Sequence, residues 1–390
     1  MYGVAQMENI EFLHVVCADT KNTYGIMSQI HKRQDMSKHR FLITASESCK
    51  ERFPKLYEFD DNIFMPGGNY ITRKVKSVLF FYRMLASAKN IVWHSLFFGT
   101  QRYIWLIYFY RRFLKKSIWI EWGADLYNWT FPNNTLRNRI KNYVNKKIRS
   151  SFNKVGLIFP VDKEEYIKQF GDRAKFFYTP MPNPRKGDSE LIEYIYSLKP
   201  RENRNKKIVQ IGHNAFTFNN HFYLFDILKQ YKNEDVIFFL PISYGIYGIN
   251  GQYGSKKYYD AVRRFARKLF GKKILIHTEN IPFDDYISLL WNIDVAVFDF
   301  DRPCGLGTIR ILALMEKKIF LPSGTPFYDF LQSIGIPVCD TKRIQDMSYE
   351  EFVAPVRYRD NSWIKSYLNN GSVMEHWNNM FEQISLESYS

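Results

Sequence analysis

The sequence predicts an α/β protein with two Rossmann-like, doubly wound domains that face a cleft. At 390 residues the chain is too long for one compact core and suggests two domains. Hydrophobic residues make up 46% of it, which is enough for packed interiors. In both halves short apolar runs alternate with longer amphipathic stretches, and near-continuous apolar runs are typical of parallel strands covered on both faces.

The first half contains five runs of branched and aromatic residues that predict strands. They are residues 10–17 (IEFLHVVC), 40–45 (RFLITA), 90–96 (NIVWHSL), 117–122 (SIWIEW) and 154–161 (KVGLIFPV). Amphipathic or basic stretches separate several of them, so the order is strand, helix, strand. A stretch rich in Pro, Asn and charge follows at residues 180–207 and predicts a linker.

The second half repeats this alternation more regularly. Strands are predicted at KIVQIG (207–212), DVIFFLPIS, KILIHTE and DVAVFDF. Helices are predicted at NNHFYLFDILKQYK, SKKYYDAVRRFARKLFG, FDDYISLLWN and GLGTIRILALMEKK, the last beginning on glycines. We therefore expect a first domain over residues 1–185, a linker over 186–205, a second domain over 206–345, and C-terminal helices over 346–390 that pack back on the domains.

Positive charge is concentrated in the first half. The formal net charge is +16, and residues 73–116 contain ten basic side chains and no acidic one. Aromatic residues lie between these cations, a mixture that suits the interface of an anionic membrane leaflet. We expect membrane or acceptor contacts from Arg102, Arg111, Arg112, Lys115 and Lys116. The alternative interpretation is two ordinary core helices with solvated cations.

Several other classes of protein are disfavoured. No uncharged apolar run reaches the roughly 18 residues of a membrane span. The N-terminus carries Glu8 and Glu11 and lacks the pattern of a secretory signal. The four cysteines are far apart, so we expect a reducing compartment and no metal site. No recognition-helix, RNA-binding or zinc-finger motif accompanies the basic charge, so we expect no nucleic-acid partner.

Two loops follow predicted strands at the edge where open α/β sheets bind ligands. The first contains Gly212, Asn214, Thr217, Asn219, Asn220 and His221, of which one Asn suffices as a helix cap. The second contains Gly305, Gly307, Thr308 and Arg310 at the start of a helix, whose free amides suit a diphosphate. A turn needed only for packing is the alternative. Neither GxGxxG nor GxxxxGK[ST] is present, which disfavours a nicotinamide cofactor or an NTPase.

Four segments together resemble a known family. IEWGADLY, GHNAFTFNNH, IPFDDYISLLWNIDVAVFDFDRPCGLGTI and PSGTPFYDF are similar to the TDP-N-acetylfucosamine:lipid II N-acetylfucosaminyltransferases, also called 4-alpha-L-fucosyltransferases or glycosyltransferase family 56. The resemblance spans about residues 10–330. It implies a GT-B architecture without metal or other cofactor. It also implies that a deoxyamino sugar, 4-acetamido-4,6-dideoxygalactose, passes from a dTDP-sugar to an undecaprenyl-diphosphate-linked saccharide. The expected location is the cytoplasmic face of the bacterial inner membrane, with a product like the lipid-linked precursor of enterobacterial common antigen.

The resemblance assigns the Asn-rich and Gly-rich loops to the donor nucleotide, and the usual plan of the fold adds Glu279 near the base. Sugar transfer needs a group that takes the proton of the acceptor hydroxyl. Asp125 is the first candidate and Glu121 the second, because family members tend to have His at position 121. These are the only carboxylates between Asn62 and Val161, and a helix cap or an ion pair is the alternative for Asp125. His94 is a third candidate, for the base or for the acceptor diphosphate, against an ordinary core histidine.

Two other functions stay open at this point. A related glycosyltransferase that uses another nucleotide sugar, for a capsule or other surface polysaccharide, would keep the fold. An inactive membrane-surface scaffold would keep the basic region, but the intact Gly and Asn loops argue against it.

Overall fold

The computed structural model describes most of the chain. The described residues are 10–16, 21–46, 54, 58–59, 62–65, 70–96, 110–182, 190–198, 206–247, 253–279, 281–300, 302–359 and 362–389. The chain divides into two compact units. The first comprises Met1–Asp188 with Asn369–Ser390, and the second Ser189–Leu368.

Each unit is built on one parallel sheet. In the first unit the strands are β1 (Ile10–Val16), β2 (His39–Ser46), β3 (Ile63–Met65), β4 (Ala88–His94), β5 (Ser117–Ile120), β6 (Lys154–Leu157) and β7 (Lys175–Tyr178), in spatial order β3-β2-β1-β4-β5-β6-β7. In the second they are β8 (Lys207–Ile211), β9 (Val236–Pro241), β10 (Ile274–His277), β11 (Val295–Val297), β12 (Lys318–Leu321) and β13 (Val338–Asp340), in order β10-β9-β8-β11-β12-β13. Both orders reverse direction at the first strand, as in doubly wound sheets.

Helices connect and cover these strands. In chain order the described ones are α1 (Lys21–Arg33), α2 (Tyr70–Ser87), α3 (Arg111–Lys115), α4 (Ala124–Tyr127), α5 (Leu136–Arg149), α6 (Asp162–Phe170), α7 (Glu190–Ser197), α8 (His221–Leu228), α9 (Lys256–Phe270), α10 (Phe283–Trp291), α11 (Leu306–Leu314), α12 (Pro326–Ser333), α13 (Tyr349–Val353), α14 (Ser362–Leu368) and α15 (Asn370–Tyr389). Among the residues so described, no helix is long and apolar enough to span a bilayer.

Local sequence signals begin several of these helices. The Oγ1 of Thr135 accepts the Asn138 amide at the start of α5, and the Oγ of Ser255 accepts the Tyr258 amide at the start of α9. Between strands, Gly156 has no room for a side chain, because a Cβ there would lie 2.5 Å from Cδ1 of Ile120. Glycine is therefore required where β5 and β6 pack.

The prediction of two parallel-sheet α/β domains is confirmed, and every predicted strand is present. Sequence patterns missed β3, β7, β12 and β13, which are only three or four residues long and too short for a clear period. The predicted linker contains α7, whose Ile195 is buried and whose Ile195 carbonyl accepts the Trp291 indole N–H at 2.7 Å. That helix therefore belongs to the second unit.

The C-terminal helices divide between the units. Residues 346–368 lie in the second unit, and α15 returns to the first. There Trp377 is buried and its indole N–H donates to the Pro180 carbonyl at 2.9 Å. The far end of α15 is held by Glu387, which pairs with Lys154 at 3.1 Å and Lys175 at 2.8 Å.

Candidate functional site

The two loops predicted from glycines and polar residues meet at the carboxyl edge of the second sheet. They follow β8 and β11, which are neighbours at the point where the strand order reverses. The Gly212 amide donates to the Val297 carbonyl at 2.9 Å and joins the two strand ends. Open α/β sheets bind their ligands at this point.

Three side chains hold the first loop in shape. Oδ1 of Asn214 accepts the Phe216 amide at 2.9 Å and Nδ2 of Asn219 at 2.7 Å. Nδ2 of Asn214 lies 2.6 Å from Nε2 of His213, which also lies 3.3 Å from Sγ of Cys304 in the second loop. The side chains of Asn214, Asn219 and His213 are buried. Asn214 and Asn219 thus position the loop, and His213, which sequence analysis did not single out, ties it to the glycine loop.

Two glycines allow the loops to approach each other. Gly212 has φ +62°, and a Cβ there would lie 3.1 Å from Oδ1 of Asn219. Gly305 has φ +63°, and its Cβ would lie 3.1 Å from Cγ of His213. Both positions combine a left-handed backbone with a crowded neighbour, so any other residue would be strained.

The other predicted residues of the first loop occupy its end and the start of α8. Thr217 and Asn219 form a short 3-10 turn, and Asn220 is left-handed with φ +48°. Nδ2 of Asn220 donates to the carbonyl of Asp299 at 3.0 Å and to its carboxylate at 2.9 Å, which again links the two loops. His221 is buried and its Nδ1 lies 2.9 Å from the Tyr258 hydroxyl.

The start of α11 is open on the side of Gly307, where an added Cβ would meet no atom of the described residues within 4 Å. Thr308 pairs its hydroxyl with that of Tyr286 at 2.5 Å. Arg310 is buried, and its guanidinium lies 3.6 Å from the ring centre of Tyr367. The Tyr367 ring covers one face of the Arg310 guanidinium, whereas Gly307 at the amide end of α11 is exposed.

A different cation lies by the loops. The guanidinium of Arg302 lies 4.1 Å from the ring centre of Phe218, and its charge lowers the pKa of His213 and opposes the rise in the pKa of Cys304. Arg302 lies between β11 and Gly305, so its positive charge is close to the start of α11, where helix amides favour an anion. Glu279 is exposed and follows β10, which is the edge strand, with β9 between it and β8.

His213 and His221, the two histidines of the first loop, are neutral at pH 7. Burial lowers the pKa of His213 to about 3 and that of His221 to about 4, and it raises the pKa of Cys304 to about 11. The site therefore offers neutral hydrogen-bond donors, open helix amides and the charge of Arg302. That set is suited to a phosphate group.

In the first unit Asp125 is fully buried behind the carboxyl edge of the sheet. Its Oδ2 accepts the Leu96 amide at 2.8 Å and the Trp119 indole N–H at 2.7 Å. Its Oδ1 accepts the Trp122 amide at 2.7 Å. A carboxylate already engaged by three donors joins the ends of β4 and β5, and these contacts favour a structural role over that of a base.

Glu121 is also fully buried. Its Oε2 accepts the Gly123 amide at 2.5 Å and its Oε1 accepts the Ile158 amide at 2.8 Å, so it joins the ends of β5 and β6. Burial, with the charges of Asp162 and Asp125, holds its pKa well above the usual range. These contacts likewise favour a structural role for Glu121.

His94, the last residue of β4, is the third predicted candidate and is fully buried. Its ring stacks on that of Trp377, with centres 5.7 Å apart and planes 13° apart. Its Nε2 lies 2.9 Å from Nδ1 of His14, and its Nδ1 has no hydrogen-bond partner among the described residues. Of the three candidates, His94 is the one whose side chain keeps a polar atom without a hydrogen-bond partner among the described residues.

The predicted membrane cations lie on and beside α3, except for Arg102, which is outside the described residues. Arg111, Arg112 and Lys115 are exposed. Lys116 is half-buried and its Nζ donates to the Ala88 carbonyl at 2.5 Å. In the described parts of the chain, no group of three His, Cys, Asp or Glu side chains is arranged to hold a metal ion.

The sequence matches the family described as 4-alpha-L-fucosyltransferase, glycosyl transferase group 56, over residues 28–382. The chain belongs to this family. It is a glycosyltransferase of the hexosyltransferase class, an enzyme that uses a nucleotide-sugar donor and a glycosyl acceptor. The resemblance inferred from four sequence segments is therefore confirmed.

Solved structures share the fold of the glycosyltransferase. It is similar to a glycosyltransferase from Rickettsia africae ESF-5, with TM-score 0.57 and 12% identity over 98% of each chain. It is similar to Anabaena Alr3699/HepE in complex with UDP-glucose, with TM-score 0.60 and 11% identity over 97% and 98% of the chains. A trehalose 6-phosphate synthase from Burkholderia multivorans gives TM-score 0.58 at 8% identity over 97% and 98%. At these identities the likeness shows the fold, which is GT-B.

Proposed function

We propose that the enzyme transfers 4-acetamido-4,6-dideoxygalactose from a dTDP-sugar to a saccharide linked to undecaprenyl diphosphate, in the synthesis of a surface polysaccharide like enterobacterial common antigen. The family match and the four segments that resemble it support this choice of donor and acceptor. The second candidate is another nucleotide sugar, since the similar Anabaena protein was solved with UDP-glucose. Both candidates place a nucleoside diphosphate in the same site.

The observation that carries the proposal is the junction of the two loops in the second unit. Gly212 and Gly305 bring the loops together, and the amide end of α11 is open at Gly307. Arg302 supplies a positive charge beside them. As the bond between the anomeric carbon and the diphosphate breaks, negative charge grows on the leaving group, and fixed amides with a guanidinium stabilise that charge.

A Gly305→Ala substitution tests this site. The added Cβ would meet the His213 ring at 3.1 Å in a left-handed backbone, so the loop must shift away from its partner. In a metal-free thermal-shift titration we expect dTDP to stabilise the wild type by about 2.7 kcal/mol at a hundredfold excess over Kd. We expect the affinity of Gly305→Ala for dTDP to be at least about tenfold lower.

The control for that titration is Gly171→Ala, which also changes a left-handed glycine but lies in the first unit, where no described atom would lie within 4 Å of the added Cβ. It should bind dTDP like the wild type. If UDP or GDP raises the thermal stability and dTDP does not, the donor is a different nucleotide sugar, the second candidate. If none of the three nucleotides shifts the wild type, the donor site is placed wrongly.

We also propose that the enzyme docks on an anionic membrane, where its lipid-linked acceptor lies, through the outer face of α5. Leu136, Ile140 and Tyr143 recur at helical spacing and are 69%, 52% and 60% exposed. Exposed basic residues lie beside or beyond them, namely Arg139, Lys146 and Lys147, and the helix contains no acidic residue. Apolar side chains flanked by cations suit the boundary between lipid headgroups and acyl chains.

A second helix adds to the same face of the sheet. The connections from β3 to β4 and from β5 to β6 advance in one direction along the sheet, so right-handed crossovers place α2 and α5 on one side. On α2, Val78 and Leu79 are 42% and 57% exposed. Sequence analysis placed the membrane contact at residues 102–116 and missed the α5 stripe, because its apolar residues are few and widely spaced.

Ile140→Glu is expected to lower partitioning onto vesicles of anionic phospholipid at least about thirtyfold, since one buried Ile contributes about 2 kcal/mol and the new charge is repelled. Cosedimentation with vesicles measures it. The matched control is Leu386→Glu, which changes a side chain that is 72% exposed on α15, the helix that packs with α1 on the opposite face. Equal binding of Ile140→Glu and wild type would contradict this docking face.

A further inference from the structure

Three histidines form a hydrogen-bonded chain across the first sheet. Nε2 of His94 lies 2.9 Å from Nδ1 of His14, and Nε2 of His14 lies 2.9 Å from Nδ1 of His39. His94 ends β4, His14 lies within the central strand β1, and His39 begins β2. The chain therefore runs from the carboxyl edge of the sheet, where ligands bind, to its amino edge.

At the His94 end of this chain, two polar atoms without described partners can bind a hydroxyl group. Nδ1 of His94 and the indole Nε1 of Trp122 are both buried without a hydrogen-bond partner in the described residues, although buried polar atoms are nearly always paired. The two rings meet edge to face with centres 6.4 Å apart. An alcohol both donates and accepts, so it satisfies both atoms by donating to His94 and accepting from Trp122.

One set of tautomers fits the whole chain. If each ring carries its proton on Nε2, His94 donates to His14, His14 donates to His39, and Nδ1 of His94 keeps a free lone pair. The opposite set would leave an unpaired buried N–H on His94, which is rarer in proteins than an unpaired acceptor. The chain is thus ready to take a proton at His94.

We propose that His94 and Trp122 bind the acceptor hydroxyl and that His14 and His39 carry its proton to the surface. This rests on the proposed function for the identity of the alcohol. The hydroxyl oxygen forms its bond to the anomeric carbon, and the nucleoside diphosphate leaves with the electron pair of the broken bond. The hydroxyl proton passes to Nδ1 of His94, while the Nε2 protons of His94, His14 and His39 each move one step outward.

The relay explains how such a buried histidine can act as a base. Burial lowers the pKa of His94 to about 3 and that of His39 to about 4, and it holds the pKa of His14 well below its usual range. A stable protonated state of any of these three rings is therefore unfavourable. Concerted transfer leaves each ring neutral. After product release, water takes the Nδ1 proton of His94 and a proton re-enters at His39, which restores the starting tautomers.

The surroundings of the chain fit this passage. At the outer end the exposed carboxylate of Asp35 raises the pKa of His39, whereas Lys38, Arg40 and His31 lower it. Along the chain the rings of Phe41 and Phe381 contact His14, with centres 4.6 Å and 5.7 Å away. These apolar rings shield the middle of the chain, and a carboxylate at the outer end is a suitable proton acceptor.

The tautomers can be measured without any reaction. In protein labelled with ¹⁵N-histidine, NMR should show the Nε2–H tautomer at all three rings from pH 8 to pH 6, with each resonance assigned from a single His→Gln variant. A proton on Nδ1 of His94, or a charged ring at pH 6, would overturn the relay. If the wild type transfers no sugar, the proposed function is contradicted. The NMR measurement then still tests whether the three histidines have the proposed tautomers.

His14→Gln separates a relay from a structural hydrogen bond, because an amide still donates and accepts but cannot pass a proton. We expect kcat to fall at least about tenfold, the KM for the nucleotide sugar to stay unchanged, and the curved proton inventory of the wild type to become linear. His39→Gln should act likewise and serves if His14→Gln does not fold. His376→Gln, an exposed histidine on α15, is the matched control. Unchanged kcat in a folded His14→Gln or His39→Gln would disprove proton passage.

Discussion

Asp125→Ala is expected to lower the free energy of unfolding by about 3 to 5 kcal/mol. The substitution removes the acceptor of three buried donors, the amides of Leu96 and Trp122 and the indole of Trp119. It also removes the negative charge that raises the pKa of Arg149, a fully buried cation whose pKa burial lowers to about 10. An uncompensated buried charge alone costs several kcal/mol. Urea denaturation followed by tryptophan fluorescence measures the change.

The control for this prediction is Asp172→Ala, since Asp172 is an exposed carboxylate of the same unit and its loss should change stability by less than about 0.5 kcal/mol. Asp125→Asn gives the decisive comparison with the role predicted from sequence. If Asp125→Asn keeps wild-type stability but loses sugar transfer, Asp125 acts on the substrate. If stability and transfer fall together while dTDP still binds the folded fraction, Asp125 is structural.

The case of Asp125 shows why sequence placed the fold better than the chemistry. Apolar runs such as KIVQIG predict strands because their pattern is local and repeats along the chain. The two acids Glu121 and Asp125 in a basic stretch indicate that carboxylates are required there, but not whether they bind substrate or backbone amides. Whether each faces substrate or backbone amides depends on Leu96 and Ile158, which are 29 and 37 residues away along the chain from Asp125 and Glu121.

The histidine chain also depends on contacts between residues that are distant along the sequence. His14 and His39 bond to each other across 25 residues of sequence, and His14 and His94 bond across 80 residues. No rule of sequence spacing links them. They meet because parallel pairing brings β2 and β4 to either side of β1. Only the register of the sheet brings the three histidines together, so sequence analysis could not predict a partner for His94.

The donor loops were predictable because their signals are local. A glycine after a strand and glycines before a helix mark tight turns at the edge where ligands bind. The role of each polar residue was not predictable. Asn214 and Asn219 bond mainly within the first loop. His213 contacts Cys304 in the second loop, and the charge of Arg302 acts on the same cysteine. The second unit is thus held by neutral, buried polar groups, and that makes its stability sensitive to acid.

Acidification from pH 7.5 to pH 5.5 is expected to lower the free energy of unfolding of the second unit by about 2 to 3 kcal/mol. Burial lowers the pKa of His213 to about 3 and that of His221 to about 4, whereas unfolded histidine titrates near 6.5. Below pH 6.5 the unfolded chain therefore binds more protons than the folded one, and each histidine costs about 1.4 kcal/mol at pH 5.5. In the first unit the raised pKa of Glu121 opposes His14, His39 and His94, because its stabilising effect grows as pH falls.

Hydrogen exchange at the buried amides of Val209 and Ile211 in β8 reports the opening of the second unit at each pH. His221→Phe removes one of the two rings whose pKa burial lowers and should halve their contribution to the loss on acidification, although the lost bond to Tyr258 lowers stability at every pH. Opening free energies that are equal at pH 7.5 and 5.5 would mean that the rings titrate alike in both states. A loss that His221→Phe leaves unchanged would assign the acid sensitivity to groups other than this histidine.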